Sequence, residues 1–90
     1  MDGYEWDPEK ADANLKKHGI DFADAAVSLE DPRALVDADP DAVDEERFIC
    51  LGTDPEGRLL VTVYAHRVDN VRIISSREAS SGERRRYEEG

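Results

Sequence analysis

The run Arg58-Leu59-Leu60-Val61-Thr62-Val63-Tyr64-Ala65-His66-Arg67, followed by Val68-Asp69-Asn70 and Val71-Arg72-Ile73-Ile74-Ser75, decides the fold class. Its hydrophobic period is two, with Leu59, Val61, Val63 and Ala65 on one face and Leu60, Thr62 and Tyr64 on the other. Apolar residues on both faces mark a strand covered from both sides, and so the centre of a sheet. Val68-Asp69-Asn70 is a turn, which sends 71–75 back antiparallel beside it. Upstream, Asp54-Pro55-Glu56-Gly57 is a second turn signal, and Arg47 to Leu51 supplies the strand before it. Arg33 to Val36 can add a short fourth strand ahead of the polar, proline-interrupted loop 37–44.

Outward from this meander the period changes to that of helices. Tyr4-Glu5-Trp6 reads as an opening strand or an extended arm. Asp7-Pro8 then starts a helix, because an aspartate accepts from free N–H groups and a proline suits the first turn. Ala11, Leu15 and His18 share one face of that helix, and Gly19 provides its left-handed stop. Asp21 caps a second helix with a stripe of Phe22, Ala25, Ala26 and Leu29, ended by Asp31-Pro32. At the other end Ser76 can cap a last helix whose contact face is Ala79, Glu83 and Tyr87. The expectation is an α+β fold: N-terminal helices packed on a three- to four-stranded antiparallel sheet, with a C-terminal helix. Ninety residues give one domain spanning 1–90.

The composition restricts the function. Hydrophobic residues make up 39 % of the chain, and no apolar run approaches the roughly 20 residues that a membrane span needs. No basic-then-apolar leader opens the sequence, so a cytoplasmic protein without membrane partners is expected. Cys50 is the one cysteine, which excludes an internal disulfide and a cysteine-based zinc site. Its setting in Phe48-Ile49-Cys50-Leu51 suggests a buried small hydrophobe. The acids at 37–46 are not spaced as a calcium loop, so neither a metal nor a cofactor is expected. A net charge of −10 opposes polyanion binding as a whole. The charge is divided, however: residues 21–57 hold twelve acids against two arginines, whereas 58–90 hold seven arginines against five acids. Any contact with nucleic acid belongs to the second half.

Two stretches carry a family resemblance. The first is Glu5-Trp6-Asp7-Pro8-Glu9-Lys10 with Asn14 and Lys17-His18-Gly19-Ile20-Asp21-Phe22. The second is Val71-Arg72-Ile73-Ile74-Ser75-Ser76-Arg77-Glu78-Ala79 with Glu83-Arg84 and Tyr87-Glu88. Together with Asp31-Pro32, Glu46-Arg47, Gly52 and 57–61, the chain resembles the BrnT family, toxins of bacterial type II toxin–antitoxin pairs. Ser76 stands where the family usually has alanine. The resemblance implies a RelE-like fold and a ribonuclease that cleaves RNA without a metal. It also implies inhibition of translation and growth, and neutralisation by a cognate BrnA-like antitoxin. That partner carries a ribbon-helix-helix domain, so the toxin meets DNA only indirectly, within a hetero-oligomer. An alternative function keeps the fold and the partner surface without the chemistry: an inactive binding module serving as co-repressor.

Metal-free cleavage has the 2′-hydroxyl attack the adjacent phosphorus, leaving a cyclic phosphate and a 5′-hydroxyl. It needs a proton acceptor, cations on the phosphorane and a proton for the leaving oxygen. Arginine suits the second task through its planar fork and is a poor base. With turns at 54–57 and 68–70, Arg47 lies opposite about Val63, and Val61 faces Arg77. Arg47 and Arg77 then flank the central strand about 10 Å apart, either side of one phosphate. Arg72 faces His66 beside Arg67 near the other end of the hairpin, where both arginines can hold neighbouring phosphates. The competing expectation for Arg77 is an ion pair with Glu46, Glu78 or Glu83. Lys17 and His18 form the other candidate, an imidazole for proton transfer beside a cation; His18 can equally serve the helix end. Glu46 can act as base if Arg47 and Arg77 hold it, or it is the last acid of the loop.

Overall fold

The computed structural model describes residues 3–90. In these residues five strands and three helices follow in the order β1 (Gly3–Glu5), α1 (Pro8–His18), α2 (Phe22–Ser28), β2 (Leu35–Ala38), β3 (Phe48–Thr53), β4 (Leu59–His66), β5 (Asn70–Glu78) and α3 (Ser81–Glu89). The strands form one sheet in the order β1-β5-β4-β3-β2. All pairings are antiparallel except β1 with β5, which is parallel through Gly3↔Asn70, Tyr4↔Val71 and Glu5↔Arg72. The sheet is therefore five-stranded and mixed, where the sequence alone suggests three or four antiparallel strands. The opening arm accounts for the difference: it crosses to the far edge, and the edge it finds is fixed only by tertiary packing.

Local chemistry sets the helix ends. Asp7 accepts from the Glu9 N–H at 2.9 Å, Pro8 opens α1, and Gly19 closes it at φ 73°, in the left-handed region that glycine adopts freely. Asp21 caps α2 by accepting from the Ala23 N–H. The last helix starts later than expected. β5 continues through Ser76, Arg77 and Glu78, and Ser80 is the cap, in a reciprocal capping box with Glu83.

Each sheet face has its own core. On one side α1 and α2 bury Ile20, Phe22, Ala25 and Ala26 against Leu60 and Ile73. Gly52 permits the approach of α2, since a Cβ there would lie 2.3 Å from the Ser28 carbonyl oxygen. On the other side Leu51, Leu59 and Val61 pack with Leu35, Ile49, Ala79 and Tyr87. Tyr87 donates to Asp31, which also accepts from the Thr53 N–H and hydroxyl and from the Arg33 N–H. Burial pushes the Asp31 carboxyl up, but these hydrogen bonds outweigh it and hold the group at about 2. The inward face of α1 differs from the expected apolar stripe: Leu15 is 45 % exposed and His18 is exposed, while the buried residue is Asn14. No helix of the described residues is long and apolar enough to cross a membrane.

Candidate active site

The second sheet face is covered only at one end. There α3 lies over Leu51, Leu59 and Val61, while Ile49, Val63 and Ser75 further up remain half-buried. The register puts Val63 opposite Ser75 and Val61 opposite Arg77, as the hairpin reading expects. Beyond Val63 it slips by one residue, so Tyr64 faces Ile73 and Ala65 faces Arg72. Ile74 is the extra residue of a β-bulge. Arg72 and Arg77 are five positions apart and would point to opposite faces of a regular strand. The bulge turns Arg72 onto the face that carries Ser75 and Arg77. Arg72 thus faces Ala65, in place of the expected His66.

The last turn of α1 completes the site. Lys17 and His18 line a cleft of about 450 Å³ together with Ile49, Val63, Ser75 and Arg77. They also border a second recess of about 230 Å³ with Lys10, Asn14 and Ile74, and so form the ridge between the two. Lys17, His18 and Arg77, two separate sequence candidates, therefore meet at one opening.

Arg77 is held from the α3 side. Its Nη1 and Nη2 donate to the two oxygens of Glu83 at 2.8 and 2.9 Å, and Nη1 also donates to the Glu78 carbonyl. Among the alternatives for Arg77, the pair with Glu83 is the one formed. Nε keeps its proton without an acceptor among the described residues, so one edge of the guanidinium stays available while the other is anchored. The Arg77 guanidinium, with the Ser80 N–H, holds the Glu83 carboxyl at about 2. Glu83 is thus a fixed anion near neutrality and no proton carrier.

The remaining candidates lie elsewhere. Arg47 precedes β3, and continuing the register Phe48↔Tyr64 puts it opposite Ala65 instead of Val63. It is four positions from Val61 along β4, about 13 Å at ~3.3 Å per residue. Arg47 and Arg77 do not converge on one phosphate. Arg47 lies with Glu46 in a separate recess of about 380 Å³, lined by Asp39, Asp44 and Glu45 as well. Glu46 is exposed there and is not held between Arg47 and Arg77. Arg67 pairs with Glu45 at 2.9 Å and Arg72 with Glu5 at 2.7 Å. Each of the two is thus already engaged by a carboxylate, and both guanidiniums act on Glu5. Among the described residues no group of three or more histidines, cysteines or carboxylates is arranged to hold a metal.

Ser75 stands two positions before Arg77 on the same strand face, opposite Val63, where the hairpin reading puts it. One contributor went unread in the sequence. Asn14 ties α1 to β5: its amide nitrogen donates to the Ser76 carbonyl at 2.9 Å and its oxygen accepts from the Ser76 N–H at 3.1 Å. A polar residue at i−4 from a helix-end histidine, inside the otherwise inward face, was the available signal.

Comparison with known proteins points the same way as this geometry. A family model described as the ribonuclease toxin BrnT of type II toxin–antitoxin systems matches residues 6–83. Among solved structures, the 1.1 Å crystal structure of the Brucella abortus ribonuclease toxin BrnT is similar, with a TM-score of 0.67 and 25 % identity. The match covers 90 % of this chain and 100 % of that one. No curated protein matches.

Proposed function

This chain belongs to the BrnT family of ribonuclease toxins of type II toxin–antitoxin systems, and from that membership we propose that its residues 1–90 act as one metal-independent endoribonuclease domain. The convergence of Lys17, His18 and Arg77 on one cleft carries the reading. In it the free edge of Arg77 and the Lys17 ammonium take the phosphorane oxygens, where fixed cations stabilise the charge that develops in the transition state. His18 takes the proton of the attacking 2′-hydroxyl, a task suited to imidazoles as a class, and solvent water supplies the proton that the departing 5′-oxygen needs. Arg72, on the same face, receives a neighbouring phosphate of the strand. Arg47, Glu46 and Arg67 have no part in this cleft. A family of this kind implies an RNA target and an antitoxin. We further propose that the cleavage inhibits translation in the cytoplasm, and that a cognate BrnA-like antitoxin neutralises it and links the complex to DNA.

One observation favours the second reading, an inactive partner of the antitoxin. Arg67, Arg72, Arg77 and Arg86 are each already paired with a carboxylate, and the acids at 39 and 44–46 surround Arg47. Purified protein incubated with RNA in a chelator separates the two. The nuclease reading predicts fragments ending in 2′,3′-cyclic phosphate and 5′-hydroxyl, made by wild type and not by Arg77→Ala or His18→Ala. Intact RNA at high protein concentration, with a stable antitoxin complex, would establish the binding module instead.

A further inference from the structure

Among the described residues, β5 lacks a neighbouring strand along much of its outer edge. β1 pairs with it only at Asn70, Val71 and Arg72. Past the bulge at Ile74, the backbone of Ser76 is met not by a strand but by one side chain, Asn14, which is 7 % exposed. Its amide accepts from the Ser76 N–H and donates to the Ser76 carbonyl, as a paired strand residue would. The same nitrogen donates to the Ile20 carbonyl at 3.1 Å, just beyond the end of α1. Three hydrogen bonds from one buried amide therefore join the exit of α1 to β5, on the residue between Ser75 and Arg77. Lys17 and His18 stand three and four positions after Asn14, on the same side of the helix.

We propose that Asn14 is a positioning residue for the reaction. It sets the α1 cations and imidazole at a fixed distance from Arg77 without touching RNA. The inference rests on the nuclease reading of the cleft. The two halves of the site come from elements 62 residues apart in sequence, and among the described residues the Asn14 amide is the hydrogen-bonded link between them at the cleft. A second chain of hydrogen bonds, Ser76 Oγ to Thr62 Oγ1 at 2.9 Å and Thr62 Oγ1 to Ser28 Oγ at 3.4 Å, holds β5 from the opposite side. That chain does not involve α1, so its loss weakens the fold without moving Lys17 and His18.

The test compares Asn14→Ala, Asn14→Leu and Thr62→Val with wild type. Cleavage of a single RNA oligonucleotide is measured at a temperature where circular dichroism shows each protein folded. Losing alignment of about 1 Å costs on the order of 10²-fold. Both Asn14 variants should therefore lose about that factor in kcat while KM changes less than about threefold. Thr62→Val, though less stable, should keep kcat within about threefold of wild type. A kcat loss in Thr62→Val equal to that in the Asn14 variants, or folded Asn14 variants with wild-type kcat, would overturn the proposal. So would failure of both Asn14 variants to fold, which would make the residue architectural. Wild type that cuts no RNA defeats the nuclease reading itself, an outcome distinct from all of these.

Discussion

Replacing Glu83 by glutamine isolates the charge that anchors Arg77. The substitution keeps the size and an oxygen that can still accept from the Ser80 N–H, so the capping box survives. What is lost is the anion facing Arg77 at 2.8 and 2.9 Å. In the folded protein that contact, chiefly, lowers the carboxyl from 4.5 to about 2. At ~1.4 kcal/mol per unit this would be about 3 kcal/mol unscreened. The Glu83 side chain is 33 % and the Arg77 side chain 45 % exposed, so solvent screening reduces it to about 1–1.5 kcal/mol. Because the folded-state value is depressed, the stabilisation is complete above about 4.5 and is lost as pH falls towards 2. Urea denaturation followed by circular dichroism should show Glu83→Gln less stable by about 1–1.5 kcal/mol at pH 7. At most about half of that gap should remain at pH 3. A gap independent of pH, or none at pH 7, would refute the electrostatic origin of the anchor.

Two other perturbations have defined outcomes. Gly52→Ala places a Cβ 2.3 Å from the Ser28 carbonyl oxygen and forces α2 off β3. A loss of about 2–3 kcal/mol is expected, seen as a melting temperature lower by about 10–20 °C; an unchanged melting temperature would contradict the close packing of α2 on β3. Cys50 is fully buried, and burial, with the charge of Asp31, pushes its thiol up to about 11. A thiol reagent at pH 8 should therefore label native protein only as fast as the protein unfolds; complete labelling within seconds in native buffer would show the site open.

Much of this fold was legible because its signals are local. Asp7-Pro8, Gly19 and Asp21 act through neighbours two to four residues away, and each performs the expected task. The pairing Val61↔Arg77 holds because the turn closes one residue tighter, between Arg67 and Asn70, and the bulge at Ile74 restores the register beyond it. Non-local features were hidden. The turn at 54–57 closes between Thr53 and Leu59, so β3 is displaced by two residues and Arg47 moves away from Arg77. The displacement is even, which keeps every residue on its expected face. The tighter turn puts Arg72 opposite Ala65 in place of His66, and the compensating bulge at Ile74 has no signature in a run such as Val-Arg-Ile-Ile-Ser. Ser76 resembles a helix cap by type, yet its backbone is paired with Asn14 and its hydroxyl with Thr62, so β5 continues through it. Within the candidate site, Lys17, His18 and Arg77 were legible as residues; their meeting was not, because it depends on that same pairing.

Induced expression of the chain in bacteria without an antitoxin, beside Arg77→Ala, tests the central claim most directly. Cellular RNA and growth are followed in both strains, with protein levels matched. Arrest with RNA degradation in wild type, and neither in Arg77→Ala, is the predicted result. Equal arrest in both strains would contradict the placement of the site at Arg77, and unaffected growth with intact RNA in both would contradict the nuclease itself.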